Sequence, residues 1–281
     1  MPRFQLPKNV KEHLKWLKVP IDSIPEHQWI YWRNQLAYFN HTRPEITIVL
    51  IARNEEDRIL CTLSSVAEFT KKVPAELLLI DNDSSDRTVE IAQKLGIRCI
   101  TEKKVGAGPA RQCGLLNAKG AYIVTGDTDT VYPPDWPMYM TRPLMKDRSV
   151  AVAYSLHVLY TDEMRYPLDF HVYQYLKHAN KYFHSLKRPH LNCGGASMAF
   201  RREDANKSGG YNIDLVRWED GTLAFDLSKF GKIKMVADRK AYIYTSDRRV
   251  RADGSMSRAF LIRVKKQILN LPEYFTRLRN K

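Results

Sequence analysis

Long apolar runs are missing from this chain: nowhere do about 18 apolar residues follow one another, the length that a membrane-crossing helix requires. The stretch MPRFQLPKNVKEHLKWLK likewise has no uninterrupted apolar segment of the signal-peptide kind, so any membrane contact is expected to be peripheral. Cysteine is scarce. Cys61, Cys99, Cys113 and Cys193 are widely spaced and form no CxxC pair, which speaks against a zinc ribbon or a disulfide framework and fits reduced, mostly buried thiols in a cytosolic protein. The eight histidines form no HExxH array, and the glycine turn GAGPAR is not a GxxxxGK[ST] phosphate loop. Internal repeats and low-complexity tracts are absent.

What is present is ample material for a core, 44% hydrophobic residues in 281, so that one large domain or two unequal ones can fold without a metal or disulfide staple. The formal charge is +14, from 45 basic and 31 acidic residues, which favours anionic partners: phosphorylated small molecules, nucleic acid or an anionic membrane. Half of that excess lies in residues 247–281, where ten Lys or Arg face three Asp or Glu.

Periodicity divides the chain into a helical lead-in over 1–45, punctuated by Pro7, Pro20 and Pro25, a main domain over 46–245, and a basic C-terminal part over 246–281 that packs on the core. ITIVLIA (46–52) and ELLLID (76–81) read as buried strands, and 97–101 and 121–125 as two more. Helices are expected over 55–69, 86–95 and 108–118. Such alternation builds a parallel sheet covered by helices, with ligands outside the carboxyl ends of the strands. Further on, 149–159 is expected to be one strand. Residues 167–186 should form an amphipathic helix with Leu168, Val172, Tyr175, Leu176, Ala179, Phe183 and Leu186 as its apolar stripe, and 257–270 a last basic helix with Phe260, Leu261, Val264 and Ile268 on one side.

The stretch GAYIVTGDTDT (120–130) organises this pattern. It reads as a strand delivering Asp127 and Asp129 to a sheet edge, two carboxylates spaced to meet one hard divalent cation, or else simply an acidic turn. Two other strand ends are polar as well: RNEED follows the first, and DNDSSD begins at the end of the second.

Taken in order, IARNEE, LLIDNDSSDRT, GAGPARQCGLLNAKGAYIVTGDTDT, NCGGASMAF and WEDGTLAFDLSKFG make the chain resemble a family 2 glycosyltransferase over roughly residues 46–245. The resemblance implies an α/β GT-A fold, a single Rossmann-like mixed sheet flanked by helices. It also implies an inverting enzyme that moves a sugar from a nucleotide diphosphate sugar, UDP- or GDP-linked, to a hydroxyl of a glycan or lipid-linked acceptor. Carried over residue by residue, Ala52, Arg53, Asn54 and Glu55 would surround the nucleotide, Asp81 would read the base and Asp83 would lie nearby. Asp127 and Asp129 match the DxD element, Asp129 as the direct ligand of Mn2+ or Mg2+ and Asp127 nearer the ribose, with Thr128 between them. Gly194 and Gly195 match a backbone turn lining donor sugar and acceptor, Asp220 the general base, and Glu219 a residue orienting the acceptor or a nearby loop. The sequence departs from the family pattern at DND, where DDG is usual, and at Gln112, where asparagine is frequent. The QxxRW element of processive members is missing, which favours addition of one sugar per encounter.

The chemistry suits these residue types. A cation held by carboxylates stabilises the leaving diphosphate, and a positioned aspartate removes the proton of the attacking hydroxyl. Arg111, at the start of a helix, is expected to meet phosphate or to be an ordinary surface arginine. The resemblance also implies a C-terminal loop over the donor diphosphate, a task that Arg248, Arg249 and Arg251 in SDRRVRADGS suit, with Arg249 the candidate contact; the plain reading is a solvated basic loop. Trp218 either stacks on a sugar or belongs to the core. A nucleotidyltransferase would use the same carboxylates and basic surface. A nucleic-acid-binding protein is the non-enzymatic alternative, although no RNA- or DNA-binding motif accompanies the charge and no nucleic acid is expected as a partner. The location that follows is cytoplasmic, with contact at the inner face of a membrane as the peripheral option.

Overall fold

The computed structural model describes residues 5–251. Two short helices, α1 (Lys8–Leu14) and α2 (Glu26–Leu36), precede the first strand. Trp29 and Trp32 of α2 are buried and join the main core, so the lead-in packs on the body of the protein. The main alternation then runs β1 (Ile46–Ala52), α3 (Ile59–Ala67), β2 (Ala75–Asp81), α4 (Thr88–Lys94), β3 (Arg98–Thr101), α5 (Ala107–Asn117) and β4 (Tyr122–Asp127). It continues with β5 (Thr130–Val131), α6 (Trp136–Lys146), β6 (Val150–Ser155), β7 (His157–Tyr160), α7 (Leu168–Lys187) and β8 (Met198–Arg201). The described chain closes with α8 (Arg202–Lys207), α9 (Glu219–Leu227), β9 (Lys232–Val236), β10 (Ile243–Ser246) and α10 (Arg248–Arg251).

Seven strands form one mixed sheet in the order β3-β2-β1-β4-β8-β6-β9. The first four are parallel, β8 runs against both of its neighbours, and β9 is parallel to β6. Both faces are covered, which explains the unbroken apolar composition of β1 and β2. Ile46, Ile48 and Leu50 enter the core layer on one face together with Leu77 and Leu79, while Val49, Leu78 and Ile80 enter the layer on the other.

Two expectations are corrected. The strand expected over 149–159 is broken at Leu156, and β7 leaves the main sheet for a second one, ordered β5-β10-β7. The apolar residues on both sides of the break hid a change of partner. Helix α7 forms nearly as expected, but its apolar stripe faces outward: Leu168 is 75% exposed and Phe183 64%, whereas Phe170, His171, Tyr173 and Gln174 are buried. Helical periodicity identifies a face but not the side on which the protein lies. The basic helix expected over 257–270 lies outside the described residues. No helix among the described residues is long and apolar enough to cross a membrane.

Candidate active site

The ends of β1, β2 and β4 meet because their register aligns them. Ala52 lies opposite Asp81, and Ile51 opposite Asp127. Asp81 is buried, its Oδ2 accepts the Ser84 N–H (3.2 Å), and its Oδ1 has no hydrogen-bond partner among the described residues. The loops after β1 and β2 interlock: Asn54 donates its N–H to Ser84 Oγ (2.9 Å) and its Oδ1 accepts the Ser85 N–H (2.8 Å). Asn54 and Asp83 both adopt left-handed backbone, φ 52° and 60°, a conformation that Asn and Asp tolerate better than most residues. Arg53 and Asp83 are exposed. Asn82, the departure from the family pattern, uses both ends of its amide. Nδ2 donates to the carbonyls of Glu102 and Lys104 (2.9 Å each), and Oδ1 accepts the Gly106 N–H (2.8 Å), a combination closed to a carboxylate.

Arg111 is buried at the centre of the site. Its Nη1 donates to the Gly126 carbonyl (2.8 Å), Nη2 to Asp127 Oδ1 (2.5 Å), and Nε stands 3.5 Å from Asp220 Oδ1. Burial works against its charge, and Asp127 and Asp220 more than offset that, so the guanidinium is held firmly protonated. The helix start that the sequence offered as a surface or phosphate-contacting position therefore carries an internal counter-ion. Asp220 is also buried, on the first turn of α9, and its Oδ2 accepts the Gly195 N–H (2.7 Å). The Arg111 contact to its Oδ1 has ion-pair distance but not hydrogen-bond geometry, so that oxygen has no hydrogen-bond donor among the described residues. Burial pushes the Asp220 carboxyl up to about 6. Arg111 and the Gly195 N–H pull it down, and Glu219 and Asp127 push it further up.

Asp129 lies on a different contact set from Asp127. Strand β5 follows it at once and pairs with β10, which brings the chain around residue 248 to the DxD turn. The Ser246 N–H and the Tyr160 hydroxyl both donate to the Asp129 carbonyl (3.2 and 3.1 Å), and Thr245 Oγ1 donates to Asp129 Oδ1 (3.3 Å). Arg248 Nη2 then reaches Asp129 Oδ2 (3.3 Å) and also the Glu55 carboxylate. Glu55 is buried, with Oε2 unpartnered among the described residues. Burial pushes its carboxyl up, against the pull of Arg248, and neighbouring Asp129 pushes it further. Two hard oxygen donors thus share one guanidinium, and together they suit a divalent cation that takes its remaining ligands from phosphate and water. The pair expected to share a cation, Asp127 and Asp129, is divided between two arginines.

Thr128, between the aspartates, is buried and donates to the Ile51 carbonyl (3.0 Å). Gly194 and Gly195 precede β8, with Gly195 against Arg111. Glu219 opens α9 beside Asp220 and is buried. Trp218 is 58% exposed with φ 72°, so it is no core tryptophan, and a bulky residue in left-handed backbone marks strain next to Asp220. Arg249 lies on α10 with its side chain outside what the structure describes; Arg248, named with it in the basic stretch but not singled out, is the arginine in contact with the site. Sequence reasoning also missed Tyr132. Its hydroxyl accepts the Asp127 N–H (2.7 Å) and donates to the Asp127 carbonyl (2.9 Å), and a Cβ on Gly126 would stand 2.6 Å from that hydroxyl. An aromatic residue five positions after Asp127 was the only available signal.

The family model described as "Glycosyl transferase family 2" matches residues 47–209, more than half of the chain. A dolichyl-phosphate hexose transferase from Haloferax volcanii is 33% identical over 96 residues, which are 34% of this chain and 41% of that protein. A poly-beta-1,6-N-acetyl-D-glucosamine synthase from Staphylococcus aureus is 28% identical over 134 residues, 42% of this chain and 32% of that protein. The chain thus spans less than half the length of these curated relatives. Among solved structures, the mannosyltransferase from Pyrobaculum calidifontis in complex with GDP-Man and Mn2+ superposes with a TM-score of 0.56 at 17% identity, covering 92% of this chain and 71% of that one. Glucosyl-3-phosphoglycerate synthase from Mycobacterium tuberculosis gives 0.52 at 20% identity, with 84% and 81% covered. These likenesses carry the GT-A fold, and the match over residues 47–209 carries the rest: the chain belongs to glycosyl transferase family 2.

Proposed function

We propose that the protein is a metal-dependent inverting glycosyltransferase that moves one sugar from a nucleoside diphosphate sugar to a hydroxyl of a glycan or glycolipid acceptor. One observation carries the reading. Asp220 is a buried carboxylate with one oxygen fixed by the Gly195 N–H and the other without a hydrogen-bond donor, poised near pH 6 across a single guanidinium from the DxD turn. A base tuned close to the working pH removes a hydroxyl proton efficiently.

In this reading the Asp81 Oδ1, buried and without a donor, accepts an N–H of the nucleotide base. Asp129 and Glu55 would hold Mn2+ or Mg2+, which would supply charge stabilisation to the leaving diphosphate. Arg248, paired here with both carboxylates, would give them up to such a cation and would be free to contact the diphosphate. Arg111 stays where it is, keeping Asp220 ionised and Asp127 in place. Asp220 Oδ1 takes the proton as the acceptor oxygen attacks the anomeric carbon, and inversion requires no covalent sugar intermediate.

The test combines binding with product analysis. Asp220→Asn is expected to bind nucleoside diphosphate and Mn2+ like the parent while transfer falls by about 100-fold or more. Normal transfer by that variant removes Asp220 as the base. Pyrophosphate rather than nucleoside diphosphate among the products identifies a nucleotidyltransferase instead.

A further inference from the structure

The ladder between β4 and β8 stops short of the site, and a phenol stands where it stops. Its last paired residues are Thr125 and Met198. Continued by two residues, that antiparallel register would set Asp127 opposite Ala196. The hydroxyl of Tyr132 takes the intervening place instead. It accepts the Asp127 N–H (2.7 Å), donates to the Asp127 carbonyl (2.9 Å) and lies 3.3 Å from the Ala196 carbonyl. A hydroxyl brings one hydrogen and two lone pairs. A single oxygen thus replaces a strand neighbour for Asp127 and reaches the segment that would have been that neighbour.

This wedge is held from behind. Tyr132 and Trp136 are both buried with their rings 4.2 Å apart, and Phe69 meets the Tyr132 ring edge-on at 6.4 Å. Trp136 Nε1 donates to Ser197 Oγ (2.9 Å), which lies 2.6 Å from Ser155 Oγ, and the Ser197 N–H donates to the Gly194 carbonyl (3.0 Å). The polar atoms of both aromatic side chains therefore meet the segment Gly194 to Ser197. A buried tyrosine ordinarily needs one hydrogen-bond partner. This one contacts three backbone groups on two segments of the site.

The gap beside the wedge is the one that Arg111 fills. Its guanidinium donates to the Gly126 carbonyl and to Asp127 on the β4 side and flanks Asp220 on the other. Gly195, the neighbour of Ala196, lies against the same guanidinium and fixes Asp220 through its N–H (2.7 Å). Nucleotide and cation are assigned to groups anchored independently of the phenol. Asp81 lies on β2, and the Asp129 carbonyl is held by the Ser246 N–H and the Tyr160 hydroxyl.

We infer that Tyr132 is a positioning residue of sugar transfer: its hydroxyl, wedged between Asp127 and Ala196, fixes the spacing between the DxD turn and the turn that holds Asp220. The inference rests on Asp220 being the base. Tyr132 touches no reacting atom and acts through Asp127 and Gly195. Transfer requires the reacting groups in close alignment, so a shift of about 1 Å between the two turns is enough to slow it roughly 100-fold. Donor binding does not require that alignment and is spared.

The test is Tyr132→Phe in the whole protein, which keeps the ring between the two segments and removes only the oxygen. Leu95→Ala, which truncates a buried residue at the end of α4, is the control for lost stability. UDP and GDP are titrated with Mn2+ by calorimetry, and release of nucleoside diphosphate from UDP-glucose and GDP-mannose is followed with water as the acceptor. Amide exchange is read by NMR. Tyr132→Phe should keep nucleoside diphosphate affinity and donor KM within about threefold of the parent while kcat falls at least tenfold. The Asp127 and Gly195 amides should exchange at least tenfold faster, and Ile123 and Val124, earlier in β4, should keep the parent rates. Leu95→Ala should melt at lower temperature without either change. Parent-like kcat, a loss of donor affinity as large as the loss of kcat, or faster exchange at Asp127 alone overturns the assignment. A parent protein that binds neither nucleotide, or that releases pyrophosphate, sinks the transferase reading instead. The exchange rates then still decide whether the hydroxyl ties the two turns together.

Discussion

The backbone of Gly195 lies so close to the guanidinium of Arg111 that a Cβ there would stand 2.0 Å from Nη2. That contact joins the turn before β8 to the DxD strand, since the same guanidinium holds Asp127 and flanks Asp220. Glycine is required at 195 by an arginine 84 positions earlier in the chain.

Gly195→Ala should therefore displace Arg111 or the turn. Overpacking of this kind costs about 1–3 kcal/mol, which lowers Tm by several degrees, and transfer should fall more than tenfold because the N–H that fixes Asp220 moves. Gly194→Ala is the control, as its Cβ would only touch His157 at 3.6 Å. Thermal melts of the two variants that match each other would contradict the Arg111 contact.

Arg111→Met leaves Asp127 and Asp220 facing each other without a cation. Breaking a buried pair from one side costs about 3–5 kcal/mol, so the variant should unfold at clearly lower denaturant concentration. Arg111 pulls the Asp220 carboxyl down, and its removal should shift the acidic limb of the rate profile to higher pH. A limb that does not move would separate Arg111 from the base.

The pH dependence of the parent has two signatures. The reaction needs ionised Asp220, so kcat/KM should rise with pH through about 6. Stability moves the other way. A carboxyl whose pKa in the folded protein is raised above its usual 3.8 binds its proton more tightly when folded, so its contribution is present at low pH and is lost as pH rises from about 4 to about 6. The loss is of order 3 kcal/mol at about 1.4 kcal/mol per pH unit. Denaturant curves for Asp220→Asn should lack that component, and identical pH dependence in variant and parent would reject the raised pKa.

Arg248→Gln removes the guanidinium from Asp129 and Glu55. Without nucleotide, the variant should bind Mn2+ several-fold more tightly than the parent, read from the free-ion EPR signal, because the cation no longer displaces an internal partner. With nucleoside diphosphate present the order should reverse, because the arginine is then missing from the phosphates. Unchanged Mn2+ affinity in both states would detach Arg248 from the cation site.

Much of the fold is readable along the chain because β1, α3, β2, α4 and β4 are each defined by neighbours in sequence: apolar runs of strand length, helical spacing, and polar residues at the strand ends. The family resemblance named Asp81, Asp127, Asp129 and Asp220 as candidates, and two of them, Asp81 and Asp127, close strands that local pattern also pointed to. The break at Leu156 was not readable, since Val150–Ser155 and His157–Tyr160 are equally strand-like and differ only in their partners. The direction of α7 was not readable either, because an apolar stripe on a helix looks the same whether it meets a core or faces away from it.

By itself the sequence determined the order of the elements from β1 to β4, the apolar filling of that part of the sheet and the family. Periodicity and short motifs are local properties and survive without a third dimension. Tertiary structure alone decided which charges meet. Arg111 became the counter-ion of two aspartates, Arg248 arrived at Asp129 through the pairing of β5 with β10, and Lys181 came to lie beside the turn that holds Asp220. Those meetings depend on chain closure across tens to hundreds of residues, and Coulomb interactions and burial act on the resulting distances, which no local pattern encodes.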